Sequence, residues 1–216
     1  MPQGILSTMN EEYYSYTKEW FRRLAPIYDI IVRPIKAVRD KVVDFTDAQK
    51  GSSILDVATG TGKQAFAFAE RAFEVLGIDL SSDMLRVAQK KNKYENVKFL
   101  LADATRMPLE DNRFDVACVS FALHDMPLTI REKVLQEMVR VTKPQAIIIV
   151  VDYALPENKV GRYLIYHFIK LYEGQYYPEF INSDLKILLR KSGFEIEAES
   201  PILWGAGRVL KGIRME

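Results

Sequence analysis

The chain has 216 residues, 48% of them apolar and 27% charged, with a formal net charge of +1. That length buries a substantial core in one domain, or in one domain with a small cap, and the composition is that of a soluble globular protein. The near-neutral charge argues against a broad nucleic-acid surface. One cysteine rules out an internal disulfide, so a reducing cytoplasm is the expected compartment, and with only two histidines beside it no metal is expected.

In chain order, the N-terminus lacks a basic start followed by an apolar run and is not read as a secretory signal. The aromatic-rich stretch "EEYYSYTKEWFRRLAPIYDIIVRPIKAVRDKVVDF" is expected to form a helical cap over about 9–48. Strands and helices then alternate over about 50–153. "SSILDVA" (52–58) reads as a strand, "GTGKQAFAFAERA" as a helix and "EVLGIDL" (74–80) as the next strand. Ser81 and Ser82 offer N-caps for "SDMLRVAQKKNK". "NVKFLLAD" (96–103) and "FDVACVSFA" (114–122) are the third and fourth strands, and Cys118 inside the fourth reads as a buried thiol rather than a nucleophile. Thr129 and Glu132 have capping-box spacing for the helix "TIREKVLQEMVRV". "AIIIVVDY" (146–153) is the fifth strand, apolar throughout as a strand covered on both faces should be, and its "AIIIVV" run is far too short to span a bilayer. A second aromatic cap is expected over about 157–181. A helix closing near Gly193 and two antiparallel strands at the sheet edge follow over about 182–213. The fold class is therefore α/β: a doubly wound, mostly parallel sheet with helices on both faces and an antiparallel C-terminal edge.

The loop "DVATGTGKQA" admits three ligands. A phosphate-gripping loop needs a glycine where Val57 stands and a hydroxyl residue where Gln64 stands, so that reading fails twice. Gly60, Gly62 and Ala65 give the dinucleotide spacing, with Asp79 ending the second strand to hold ribose hydroxyls. That spacing does not separate NAD from another adenosyl ligand. The surrounding acids discriminate better. Asp56 ends the first strand, where an amino or sulfonium group would benefit and a pyrophosphate would not. Asp103 ends the third, where a carboxylate can accept from an adenine amino group.

With these motifs on the page, the sequence resembles the class I S-adenosylmethionine-dependent methyltransferases. "ILDVATGTG" looks like the first motif of that family, "GIDLS" like its acidic second-strand motif and "LADATRMPLEDNRFD" like its adenine-contact strand and loop. "EMVRVTKPQAIIIV" resembles its turn into the fifth strand, with Gln145 and Ala146 in place of the usual double glycine. Ala58 stands where many members have their first glycine. "FRRLAPIYDIIVRPI" is similar to the N-terminal segment of the quinone-methylating and bacterial phospholipid N-methylating branches, which implies that Tyr28 lies over the cofactor.

The resemblance implies S-adenosylmethionine as cofactor and S-adenosylhomocysteine as product. Ala58, Thr59, Gly60 and Gly62 would bring backbone close to the donor. Leu80 and Met84 would pack on adenine opposite Ala104, with Ser120 and Phe121 facing the donor after the fourth strand. His124 is the candidate general base, and capping of the following loop accounts for it as well. Tyr16, Trp20, Tyr163, His167 and Tyr176, in the two aromatic caps, are the candidate contacts to a small apolar or lipid-like acceptor. The absence of an Asp/Asn-Pro-Pro-aromatic motif after the fourth strand argues against a nucleic-acid acceptor. Lys18, Trp20, Phe21, Arg22 and Arg23 would suit peripheral contact with a membrane, and would equally suit an amphipathic helix packed on the domain. A nicotinamide-dependent oxidoreductase and a non-catalytic nucleoside-binding protein are the competing functions.

Overall fold

Between Ser53 and Tyr153 the strand–helix alternation expected from the sequence forms, in a computed structural model that describes residues 3–31, 36–171 and 173–215. Part of the N-terminal motif (32–35) and Tyr172 of the second cap lie outside the described residues. The N-terminal segment holds helices α1 (Gln3–Leu24), α2 (Tyr28–Ile31) and α3 (Lys36–Thr46). The core then runs β1 (Ser53–Val57), α4 (Lys63–Ala69), β2 (Glu74–Asp79), α5 (Ser82–Lys91), β3 (Val97–Leu101), β4 (Phe114–Ser120), α6 (Leu128–Val141) and β5 (Thr142–Tyr153). It is followed by α7 (Lys159–Lys170), α8 (Tyr177–Asn182), α9 (Leu185–Lys191), β6 (Phe194–Ile202) and β7 (Gly207–Arg214).

The seven strands are ordered β3-β2-β1-β4-β5-β7-β6. β1 to β5 are parallel, and β7 runs antiparallel between β5 and β6. The last hairpin thus lies at the sheet edge, but its second strand turns inward and β6 forms the border. The strand order reverses between β1 and β4, and such a switch point opens a crevice at the carboxyl ends of the strands.

Alternating side chains of the central strands feed two separate cores. Leu55, Val57, Ala117, Val119, Ile148 and Val150 pack on one face of the sheet, and Ile54, Val116, Cys118, Ile149 and Val151 on the other. Burial on both faces is why these strands read as unbroken apolar runs. Burial also pushes the Cys118 thiol well up, so it is no nucleophile.

Two local expectations change. Ser81 is the N-cap of α5, accepting from the Met84 amide, as the sequence suggests. The α6 cap is Pro127 instead of Thr129: the Pro127 carbonyl accepts from the Ile130 and Arg131 amides, which places Thr129 inside the first turn. α6 also runs directly into β5, four residues earlier than the apolar run predicts. The register against β4 shifts between Phe114 and Val116 to absorb the extra residues.

Within that irregularity Gln145 is exposed and adopts φ +62°, in the left-handed region that disfavours any residue with a Cβ. Replacing Gln145 by glycine should therefore stabilise the fold by about 0.5–1 kcal/mol, the left-handed penalty less the extra chain entropy of glycine. Gln145→Val should destabilise it. The urea midpoint at constant m-value reads both signs.

Candidate active site

The carboxyl ends of β1, β2 and β3 deliver three acids to one cleft. Asp56, Asp79 and Asp103 all line it, together with Ala58, Thr59, Gly60, Leu80, Met84, Ala104, Ser120 and Phe121 of the expected donor set. The cleft has an empty volume of about 1180 Å³, mouth included.

The β1–α4 loop is held by the acids it surrounds. The Gly60 amide donates to Asp79 Oδ2 at 2.8 Å and the Ser81 amide to Oδ1 at 2.8 Å. The Thr59 hydroxyl donates to Asp56. Ala58, Gly60 and Gly62 take φ of +55°, +55° and +78° in alternation. Ala58 meets the same steric resistance as Gln145, of roughly 1–2 kcal/mol. Gly62 does not line the cleft. Its missing Cβ would lie 2.8 Å from the Phe99 ring and 3.2 Å from Ala88, so glycine is required there for packing under the loop.

Burial raises Asp56 to about 7, with the neighbouring Asp79 charge adding to it and the Thr59 hydroxyl opposing. Burial also raises Asp79, against the amide bonds from Ser81, Gly60 and Leu80. Asp103 Oδ1 accepts from the amide and the hydroxyl of Thr105, a turn that fixes the carboxylate at the cleft wall.

Lys63, the cation that suggested a phosphate loop, is paired with Asp29 Oδ2 at 3.2 Å. Asp29 also accepts from the Thr61 hydroxyl at 2.6 Å and from Lys91. Burial works to raise the Asp29 carboxyl, and the bonds from Lys91, Thr61 and Lys63 outweigh it and hold it below the usual range. Asp29 thereby fastens α2 onto the glycine loop and brings Tyr28 into the cleft. The Tyr28 ring lies 3.9 Å from the point a Cβ on Gly60 would occupy.

The candidate acceptor residues lie elsewhere. Tyr16 and Trp20 stack at 6.0 Å in a shallow groove on the outer side of α1. Tyr163 and His167 sit 4.4 Å apart on an exposed face of α7. Tyr176 reaches the cleft only through Tyr13, edge-on at 6.1 Å. The inward face of α1 is instead Tyr13, Tyr14, Thr17 and Phe21, and with Arg39 and Asp125 these complete the cleft wall. Sequence reasoning passed over them, because 13, 16, 17 and 20 share the i, i+3, i+4, i+7 spacing of one face and the period does not say which of them turns inward.

His124 is buried and absent from the cleft wall. Its Nδ1 lies 2.7 Å from Asp152 Oδ1, its Nε2 lies 3.2 Å from Glu173 Oε2, and Asp152 also accepts from the His124 amide. Burial opposes charge on the ring, but Asp152 and Asp125 overcome it and hold the imidazole well above its ordinary value. Both ring nitrogens face carboxylates and the ring does not line the cleft, so it is not placed to meet an acceptor there. Asp125, next to it, does line the cleft. Burial raises its carboxyl to about 6, with His124 pulling it down and Glu173 pushing it up. His124, Asp125 and Glu173 each offer one atom within 4.8 Å of the others, a set able to ligate a cation. The imidazolium already balances part of their charge.

Residues 54–145 match the family model for a methyltransferase domain. The demethylmenaquinone methyltransferase of Shouchella clausii is 32% identical over 161 residues, covering 69% of this chain and 68% of that protein. That of Paenarthrobacter aurescens is 32% identical over 149 residues, covering 67% of this chain, which spans only 57% of the relative's length. Among solved structures, an S-adenosylmethionine-dependent methyltransferase from Aquifex aeolicus superposes with a TM-score of 0.69 at 20% identity, over 92% of this chain and 98% of that one. That likeness concerns the fold. By sequence, by fold and by the acids at its strand ends, the chain belongs to the class I S-adenosylmethionine-dependent methyltransferases, on the branch that holds the demethylmenaquinone methyltransferases.

Proposed function

We propose that this protein transfers a methyl group from S-adenosylmethionine to a small, largely apolar acceptor of the quinol type, in keeping with its demethylmenaquinone-methylating relatives. The observation that carries the reading is the convergence of Asp56, Asp79 and Asp103 on one cleft beside the glycine loop. A dinucleotide pyrophosphate would meet repulsion there, and Lys63, the cation of the loop, is engaged by Asp29. That argues against nicotinamide chemistry.

The cofactor supplies a methyl group on a positively charged sulfur, already activated for displacement, so the protein's work is alignment and exclusion of water. Asp79 would hold the ribose hydroxyls, since its amide bonds take up only part of its acceptor capacity. Asp103 would receive the adenine amino group, and Leu80 and Met84 would pack on the ring. Asp56 favours the positively charged amino-acid end. Tyr28, Phe21 and Tyr13 roof the cleft with aromatic surface, which suits an apolar acceptor. Asp125 would take the hydroxyl proton of an acceptor whose ring carbon receives the methyl group, the displaced electron pair remaining on the donor's sulfur. His124 positions Asp125 as the neighbouring cation. An acceptor of this polarity partitions into membranes, and peripheral contact through the half-exposed Tyr16–Trp20 pair on α1 agrees with it. Among the described residues no helix is long and apolar enough to cross a membrane.

Three measurements test these roles. In calorimetry, S-adenosylhomocysteine should bind at micromolar concentration and NADH should not. Asp79→Ala should weaken the nucleoside by about 30-fold, the loss of roughly 2 kcal/mol of charged hydrogen bonding. Clear NADH binding without nucleoside binding would overturn the proposal.

The raised Asp56 sets a pH dependence. The empty protein holds Asp56 protonated below about pH 7, whereas a bound ammonium favours the ionised form, so binding below pH 7 must expel a proton. Affinity for S-adenosylhomocysteine should fall about 10-fold between pH 8 and pH 6. Asp56→Asn should bind weakly at both values and lose that slope.

Asp125→Asn should lower kcat by roughly 100-fold or more while nucleoside affinity stays within about 3-fold. Equal, small effects on both would remove Asp125 from the chemistry. A nucleoside-binding protein without activity would bind as above and give no methylated product from a demethylated quinol with labelled donor.

A further inference from the structure

Helix α7 turns most of its apolar surface outward. Val160, Tyr163, Leu164 and Phe168, with Leu171 at its C-cap, are between 60% and 85% exposed, while Ile169 is the helix's one buried residue. With His167 they follow the i, i+3, i+4, i+7, i+8, i+11 spacing and fall within an arc of about 140°. Scattered exposed apolar side chains are ordinary, but a contiguous stripe of this kind marks a contact surface.

The chemistry of the rim identifies the partner. Lys159 and Lys170 border one edge of the stripe, Arg162 lies farther round, and no carboxylate occurs between Lys159 and Lys170. The Lys170 ammonium sits 5.8 Å over the Tyr166 ring. An apolar face bordered along one edge by cations, with no carboxylate within the helix itself, fits an acyl boundary below anionic headgroups. A two-fold pairing of two such faces would bring like charges together along the rim.

The position of the helix is equally telling. Just beyond its C-terminus, Glu173 bonds Tyr153 and His124. A Cβ on Gly174 would lie 3.1 Å from Asp125 Oδ1 and 3.7 Å from the Tyr16 hydroxyl. The end of α7 is therefore anchored at Asp125, on the wall of the cleft, and it meets α1 beside the exposed Tyr16–Trp20 stack.

We infer that the outer face of α7 docks the protein on an anionic lipid bilayer. The helix lies in the plane of the interface, with Leu164 and Phe168 at its centre and the lysines among the headgroups. This docking does not depend on the methyl-transfer reading, and its vesicle assay uses neither donor nor acceptor, the urea midpoint serving as the folding control whether or not the nucleoside binds.

The test is co-sedimentation of the full chain with large vesicles of phosphatidylcholine, alone or mixed with phosphatidylglycerol. Binding to the mixed vesicles should be at least about 10-fold stronger and should fall in high salt, as expected for two or more surface lysines. Leu164→Ser with Phe168→Ser should reduce it about 10-fold or more, and Lys159→Glu with Lys170→Glu should abolish the preference for the anionic lipid. The substituted side chains are exposed, so the urea midpoint and S-adenosylhomocysteine affinity should stay at wild-type values, which separates lost docking from lost folding. Wild-type protein left in the supernatant, or variants that bind like wild type, would overturn the inference. A dimer by light scattering that the Leu164→Ser/Phe168→Ser variant dissolves would overturn it as well, in favour of a second copy of the chain.

Discussion

The Asp79 carboxylate, accepting from the amides of Gly60 and Ser81, is the constraint on which the rest of the site depends. It ties the loop after β1 to the end of β2 and to the residue that caps α5. The glycine loop and the β2–α5 junction thus hold one geometry, and the loop can sustain positive φ at Ala58, Gly60 and Gly62. Burial raises Asp79 even with those amide bonds in place. A ligand that donates further hydrogen bonds to the carboxylate relieves that cost, which is the electrostatic form of a preorganised ribose site.

A second fastening sets the roof. Asp29 gathers Thr61, Lys63 and Lys91 around one carboxylate, joining α2 to the glycine loop and to α5. The consequence for α1 is that Tyr13, Thr17 and Phe21 turn inward and Tyr16 and Trp20 outward. One helix therefore contributes aromatic lining to the cleft and an aromatic pair to the surface. The two sets lie on adjoining azimuths of the helix, so the division is set by how the helix is seated on the domain.

The acceptor end is organised by charge. Asp152, buried at the end of β5, holds the ring of His124, which faces Glu173 and Asp125 on its other side. Breaking a buried arrangement of this kind is costly because it leaves an uncompensated charge. His124 thus binds the second cap to the sheet while setting the electrostatic environment of the one carboxylate of the group that reaches the cleft. The structural role and the proposed functional one fall on adjacent residues.

The sequence by itself determined the parallel core, the order in which strands and helices alternate, and the three strand-end acids. Each of these is written in short-range pattern: apolar runs, turn residues and an aspartate at or within two residues of a strand's end. The donor wall of the cleft was legible for the same reason, since strand ends in such a sheet converge on one edge. The acceptor side was not legible. Nothing local in "SFALHDMP" distinguishes a histidine facing the cleft from one turned toward Asp152, and the partners that decide it lie 28 and 49 residues away. The aromatic caps were recognised as covers, but their inward residues are chosen by how each helix is fastened. Tyr163 and His167 face outward because Ile169 and the end of the helix are pinned from the other side. Long-range contacts carry that information, and only the folded chain brings them together.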